Sequence, residues 1–463
     1  MAARTPGSTR AGGTTRTVET PGEAHGHRPA GAALSTRARR LWHQVTDGPL
    51  VHSYYALAGC VVLLTGIGVM MVLSASAVES ISDSRSAYAL FGRQVLFGVL
   101  GLVAMLGLSV VPTRFYVKLA WPAWLVSVFI SALVFTPLGR EVNGNRNWLV
   151  IGGQSVQPSE IAKLALCIWL AALFARQGRE VEQDWKKALW PSFGGFIVPT
   201  GLTLAGGDAG TAIVFALIYA ASLWFVRAPL RIFAGGAALL AAAGLFLVVT
   251  SPHRLDRITG WLFGDCGATD ACWQAQQGLN ALATGGWWGV GLGQSRLKYN
   301  YVPEAHNDYI FSIIGEELGL VGTVIILALF IVMVVAMARI LTRTRSTFVR
   351  IATACVTTWL VGQAFVNLGM VTGLLPVIGI PLPFISYGGS ALLMTMAAVG
   401  VVMSFARVPS TVRVRTDRTA GGDPEDRILD AQEARERGFE ADPAGPRVPW
   451  RQRLSRRIER GRG

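Results

Sequence analysis

Three stretches of the chain place ionisable side chains where most of the neighbouring sequence is apolar. The first runs Asn143-Gly144-Asn145-Arg146-Asn147-Trp148 and then Gln157-Pro158-Ser159-Glu160-Ile161-Ala162-Lys163. With Pro158 in the first turn of a helix, where its missing N–H is harmless, Ser159 and Lys163 are i,i+4 neighbours and Glu160 and Lys163 are i,i+3 neighbours. Two readings stand side by side. One is a capped helix with an internal ion pair; the other has Arg146 and Lys163 presenting cations to an anionic headgroup. The second stretch, Asp208-Ala209-Gly210-Thr211, offers Asp208 either as a helix N-cap or as a site group. The third contains Gly291-Leu292-Gly293-Gln294-Ser295-Arg296, Lys298, Pro303-Glu304-Ala305-His306-Asn307-Asp308 and Gly315-Glu316-Glu317-Leu318-Gly319. Read as a helix from Pro303, it puts Glu304 and Asp308 on one face and Glu316 about two turns beyond Asp308. The helix dipole accounts for acids in a first turn, but not for Glu316 and Glu317 further into an apolar run. A short stretch therefore brings several carboxylates and His306 to the mouth of the eighth predicted span. The glycines at 291 and 293 do not make a dinucleotide site, because no strand–helix unit accompanies them.

These groups need elements to hold them, and the composition says which. The chain has 463 residues, 51% hydrophobic and 15% charged, with a mean hydropathy of +0.43. Residues 1–50 and 407–463 hold 21 of the 42 Lys+Arg and 13 of the 28 Asp+Glu, so the 356 residues between them are about 10% charged, against about 25% in soluble domains. A soluble enzyme, a secreted disulfide scaffold and a disordered chain are excluded. A spanning helix needs about 20 mostly apolar residues. That criterion predicts an all-α polytopic membrane protein with ten transmembrane helices, near 54–77, 90–111, 118–137, 157–175, 191–205, 210–226, 231–250, 309–338, 351–375 and 388–406. The domain organisation follows: a disordered N-tail (1–50), a ten-helix membrane domain (51–406) and a disordered C-tail (407–463).

With both tails cytoplasmic, 33 of the 42 basic residues fall on the inner side, as the positive-inside rule requires. The net charge of +14 therefore reflects tails and short loops beside an anionic leaflet, and no basic domain exists to bind nucleic acid. One long extracytoplasmic loop, about 251–308, separates the seventh and eighth spans, and loops of that length are usually functional. Its Trp287-Trp288 pair reads as an interfacial anchor. Between the last two spans, residues 373–390 carry Pro376, Pro381, Pro383 and the Ser386-Tyr387-Gly388-Gly389 turn. Irregular backbone at membrane depth is tolerated where it is buried or lines a cavity, so this is a re-entrant structural loop or a cavity floor. The C-tail is either a solvated arm or a recruiter of a partner or anionic lipid.

Taken together, these strings resemble the SEDS family (shape, elongation, division and sporulation proteins), most nearly its FtsW branch. The likeness covers roughly residues 55–406. It rests on seven strings in family order: Asn143–Trp148, Gln157–Lys163, Asp208–Thr211, Gly291–Arg296, Pro303–Phe311, Gly315–Gly319 and Leu374–Ser390. Two positions depart from the pattern. Asn147 stands where the family commonly has a second Arg after Arg146, and Gly207 stands where a Pro usually precedes Asp208, which leaves Arg146 as the headgroup candidate.

The resemblance implies a ten-helix peptidoglycan glycosyltransferase of the cell membrane and division septum that polymerises lipid II, an undecaprenyl-linked glycan. It would work with a class B penicillin-binding protein (an FtsI-type transpeptidase) and other divisome proteins. Turning an α-linked donor into a β-1,4 product is an inversion needing one base and cations at the departing pyrophosphate. Asp308 matches the family's catalytic aspartate. Arg146, Lys163, Arg296 and Lys298 are the pyrophosphate or headgroup contacts, with Glu160 and His306 in support; Ser159, Asp208, Glu304, Glu316, Ser386 and Tyr387 are supporting positions. A Mg²⁺ or Mn²⁺ ion could accompany the pyrophosphate, but no dedicated metal site is encoded. The rival readings are a lipid II flippase, a RodA-like elongation polymerase and a non-catalytic divisome scaffold.

Cys266 and Cys272 are the two cysteines outside the predicted spans, on the oxidising side, and they are expected to form a disulfide. A zinc site is disfavoured, since no second Cys pair or clustered His accompanies them. Mass spectrometry of native protein should find both thiols protected from alkylation until reductant is added; alkylation of both without it would refute the bridge.

Overall fold

A computed structural model of the chain describes residues 50–82, 89–142, 144–151, 154–177, 185–249, 259, 261, 271–296 and 307–407. The tails, Cys266, Lys298, Glu304 and His306 lie outside the described residues, as does the side chain of Cys272. Each predicted span is a helix: α1 Leu50–Ser82, α2 Ala89–Ser109, α3 Thr113–Ala132, α4 Pro158–Gln177, α5 Trp185–Ala205, α6 Ala209–Phe225, α7 Leu230–Val249, α9 Ile310–Arg343, α10 Thr347–Val371 and α11 Gly389–Ala406. Among the described residues, a further helix, α8 Ala271–Gly285, lies within the long loop. Seven helices among the described residues (α1 to α4 and α9 to α11) are long and apolar enough to cross a membrane. Of the other three, α5 contains Pro191 and Pro199, while α6 and the Leu230–Leu245 part of α7 are shorter apolar segments. The chain is a polytopic helical membrane protein.

The all-α expectation omits one element. Between α3 and α4 runs a three-stranded antiparallel sheet, β1 Gly139–Val142, β2 Asn145–Ile151 and β3 Gln154–Val156, in the order β1-β2-β3. Its signal is an alternation too short to compete with the helical runs around it: Asn147 and Leu149 are buried while Arg146 and Val150 are exposed, the period of two that a strand imposes.

Helix α4 is the centre of the bundle. From Pro158 to Phe174 every residue but Ile161 is buried, so the helix is covered on all sides, its ionisable residues included. It packs between α3 and α10, α10 packs in turn on α6, α2 lies along α11, and α1 along α9. Trp169 of α4 stacks on Trp124 of α3 with ring centroids 5.3 Å apart. At the periphery the pattern reverses, and apolar side chains such as Val99, Val103, Val324 and Ile331 face outward, which is favourable where the surroundings are lipid. Helix α7 is the extreme case, with every residue from Ala234 to Ala243 exposed.

Helix α9 corrects the predicted helix start at Pro303. Residues 307–309 form a turn and the helix opens at Ile310, so Asp308 precedes α9 instead of sharing a face with Glu316. The cap residue Tyr309 is non-helical (φ −104°, ψ 15°), and the Asp308 carbonyl is taken by a distant donor, Asn367 Nδ2, at 2.9 Å. Further along, α9 breaks at Gly319 (φ 67°, ψ −164°), a conformation that is essentially glycine-only. Beyond the break, the stretch to Arg343 is roughly 36 Å long at 1.5 Å per residue, enough by itself for a hydrocarbon core of about 30 Å. The first turns of α9 are thus surplus to the crossing and free to serve a site.

Replacing Gly319 with Ala should destabilise the protein. A Cβ at that position would fall 2.6 Å from Trp287 O and closer still to Gly289 N, and the backbone strain alone is worth about 1–3 kcal/mol. Thermal unfolding in detergent is expected to show a clearly lowered Tm for Gly319→Ala; an unchanged Tm would mean that the break is not part of the stable fold.

Candidate active site

One end of the bundle gathers the polar groups, and α10 organises them. Gln363 and Asn367, one turn apart in the latter half of this helix, are both buried. Gln363 Oε1 accepts from Trp359 Nε1 at 2.9 Å and from Lys163 Nζ at 3.3 Å, while its Nε2 donates to Pro381 O at 2.9 Å. Asn367 Nδ2 donates to Ile380 O at 2.8 Å and to Asp308 O at 2.9 Å. These two amides hold both the proline-rich connection and the turn that carries Asp308. Sequence reasoning missed them. The signal available was a pair of side-chain amides at i,i+4 spacing within a predicted span, where an amide without a partner is costly.

Asp308 is half-buried and lies against the same connection, since a Cβ on Gly379 would come 3.5 Å from Asp308 Oδ2. A Cβ on Gly210, at the start of α6, would meet Ile378 and Ile380. The start of α6, the Ile378–Ile380 backbone and Asp308 therefore adjoin one another. Ser386 closes the connection: its Oγ accepts from Leu382 N at 2.7 Å and its carbonyl accepts from Gln94 Nε2 of α2 at 3.3 Å. Gln94, fully buried, is another amide that the sequence reading passed over. Tyr387 is half-buried against the core.

The Glu160–Lys163 pair forms as spaced, at 2.8 Å, with both side chains almost wholly buried. Lys163 Nζ also lies 5.0 Å from the Trp359 ring centroid, an attractive cation–π placement. Of the two readings of this helix, the internal pair is what the structure shows, and burial keeps Lys163 from the surface. Ser159 Oγ is buried without a hydrogen-bond partner among the described residues. It lines a small cleft with Ser131, Asn147, Leu202 and Thr203.

Asp208 is an N-cap, accepting from Thr211 N at 2.8 Å and Thr211 Oγ1 at 2.7 Å. Its Oδ2 also accepts from Gln157 Nε2 at 3.0 Å, and Gln157 N donates to Ser390 Oγ at 3.2 Å. The starts of α4, α6 and α11 are thereby tied to one another. The sheet seats on the same corner through Arg146 N, which donates to Gly206 O at 2.9 Å. The two sequence departures meet here. Gly207 has φ +91°, which proline's fixed φ of about −65° cannot reach. A Cβ on Gly206 would collide with the Asn147 side chain. The Arg146 side chain remains exposed, with Nη2 donating to Thr136 O at 2.9 Å.

The segment after α8 fills the break in α9. Val290 N and Gly291 N donate to the carbonyls of Glu316 and Glu317, while Leu320 N and Val321 N donate to those of Gly286 and Trp287. Arg296, at the end of this segment, is exposed. Exposed guanidinium groups, a half-buried carboxylate and a buried cation at one end of a membrane bundle suit an anionic lipid substrate whose reaction moves a proton.

Fold and site thus define a polytopic membrane protein with a charged, partly enclosed site at one end of its helices. A family model described as cell cycle protein, FtsW/RodA/SpoVE, matches residues 55–410, and the chain belongs to that family. Among relatives, a probable peptidoglycan glycosyltransferase FtsW of Mycobacterium tuberculosis is 39% identical over 387 residues, covering 83% of this chain and 74% of the relative. Another of that description, from Marinobacter nauticus, is 35% identical over 81% of this chain and 98% of its own length. Among solved structures, a chain from work on the structural coordination of polymerization and crosslinking by a peptidoglycan synthase complex matches with a TM-score of 0.63 and 28% identity, over 76% of this chain and 97% of that one. The Thermus thermophilus rod shape determining protein RodA matches with a TM-score of 0.56 and 28% identity, over 76% and 96%.

The buried ion pair should behave asymmetrically. Removing one partner strands the other, so Lys163→Met is expected to cost about 3–5 kcal/mol, read as lost thermal stability in detergent. Lys163→Met combined with Glu160→Leu should recover much of that loss; a double variant as unstable as the two single losses added would contradict the pairing.

Proposed function

We propose that this chain is a peptidoglycan glycosyltransferase that polymerises lipid II at the outer face of the cell membrane during division, with Asp308 as general base. The observation that carries the reading is the seating of Asp308. Its main chain is clamped by Asn367 and its carboxylate borders the backbone at Gly379, at the end of the bundle where Arg146 and Arg296 are exposed. Family membership and the names of the relatives support the glycosyl-transfer chemistry.

In the reaction, the 4-hydroxyl oxygen of the acceptor sugar attacks the anomeric carbon of the donor and the bond to the pyrophosphate oxygen breaks. The hydroxyl proton passes to the Asp308 carboxylate, and the leaving undecaprenyl pyrophosphate departs with the bonding pair. Arg146 and Arg296, with Lys298 as a third candidate, hold the negative charge of the pyrophosphate in the bound donor and in the leaving group alike. Lys163 supports the framework beneath them, its charge met by Glu160 and Gln363. Among the described residues no three His, Cys, Asp or Glu side chains are grouped to hold a metal ion. A class B penicillin-binding protein is the partner that this product calls for, because a glycan strand needs cross-linking; the match to a chain of a peptidoglycan synthase complex supports that reading.

The decisive test is polymerisation of labelled lipid II by the purified protein, with and without a class B penicillin-binding protein. Glycan polymer supports the enzyme, translocation in proteoliposomes without polymer supports a flippase, and neither supports a scaffold. Asp308→Asn keeps size and hydrogen bonding but removes the base, so polymerisation should fall by about 10²–10⁴-fold while the protein stays folded. Activity within a few-fold of the parent would remove Asp308 from the role.

A further inference from the structure

Glu316 and Glu317 are side by side, 2% and 1% exposed, within an apolar helix, and the chemistry above does not use them. Their carboxylates are engaged with the segment that fills the break in α9. Glu316 accepts from Ser295 Oγ and, at 3.1 Å, from Arg296 N. Glu317 accepts from Ser295 N at 3.2 Å, and both of its oxygens lie within reach of Ser74 Oγ of α1, at 2.6 and 2.8 Å. Two consecutive residues, Ser295 and Arg296, are thus held at their main-chain nitrogens by two consecutive glutamates, with the second glutamate also bound to α1. The contacts stop at the Arg296 backbone. Its side chain is exposed, and among the described residues it has no ion-pair partner.

We propose that Glu316 and Glu317 are positioning residues that latch the Trp287–Arg296 segment into the break at Gly319 and so fix the Arg296 cation for the phosphate-bearing substrate. The proposal rests on the glycosyltransferase reading for its substrate but not for its geometry. Carboxylates suit the task because each supplies two acceptor oxygens to two donors. Glutamine at 316 would keep one acceptor and turn an amide donor toward a second donor. The break also makes the latch necessary, since the segment holds its place only by pairing with carbonyls and amides that a continuous helix would keep for itself.

The test uses the full-length purified protein and three readouts. In Glu316→Gln, hydrogen–deuterium exchange at the Arg296 amide, which donates to Glu316, should quicken by about tenfold, the loss of a hydrogen bond to a charged group, while α4 and α10 keep their protection. The KM for lipid II should rise by about tenfold with kcat changed far less, since a displaced cation weakens binding in ground and transition states alike. In an Arg296→Ala background, Glu316→Gln should add less than about twofold, because residues that act through one another are not additive. Parent-like exchange, parent-like KM or fully additive losses would each overturn the latch. A parent protein that binds lipid II but makes no polymer would instead defeat the glycosyltransferase reading, leaving exchange and lipid II affinity to decide the latch. Should Glu316→Gln fail to fold, Ser295→Ala removes one hydrogen bond from the same latch and is judged by the same readouts.

Discussion

The site depends on the requirement that backbone groups away from water be satisfied from within the protein. The connection between α10 and α11 leaves its carbonyls outside any helix, and three side-chain amides answer for them. Gln363 takes Pro381 O, Asn367 takes Ile380 O and Gln94 takes Ser386 O. The donor that holds Ile380 O also holds Asp308 O. A solution to a hydrogen-bonding problem thus also places a reactive carboxylate.

Charge is handled by depth. Lys163 and Glu160 neutralise each other in the core, and Gln363 shares the load with a neutral acceptor. Glu316 and Glu317 spend their acceptor capacity on the hydroxyls and main-chain amides of a neighbouring segment. Arg146 and Arg296 stand at the surface, where hydration lowers the cost of a charge until a ligand arrives. Interior charge serves the framework, and exposed charge is left for the substrate.

Much of this was legible in the sequence, because a membrane imposes a length and an apolar content on each crossing. All ten predicted segments are helices, and the Glu160–Lys163 pair and the Asp208 cap follow from local spacing alone. What local spacing could not give was depth and distant partners. Lys163 looks available on a helical wheel and is buried by α10, some 200 residues away. Asp308 reads as a helical residue until Asn367, 59 positions on, claims its carbonyl. Gly319 ends a familiar string, yet that it breaks the helix is settled by the chain arriving from Trp287. Each of these outcomes is decided by a residue far off in the chain, and periodicity carries no record of that.

Helix α7 touches the bundle near its start, where Ile232 and Phe233 pack on the core and Phe233 meets Trp224; from Ala234 to Ala243 no side chain is covered. Such a segment has lipid for its neighbour, so its inclination is governed by how its length, roughly 30 Å for 20 residues, compares with the hydrocarbon thickness around it. Elsewhere in the molecule geometry is written in side chains; along α7 it is set by the acyl chains of whatever membrane the protein occupies.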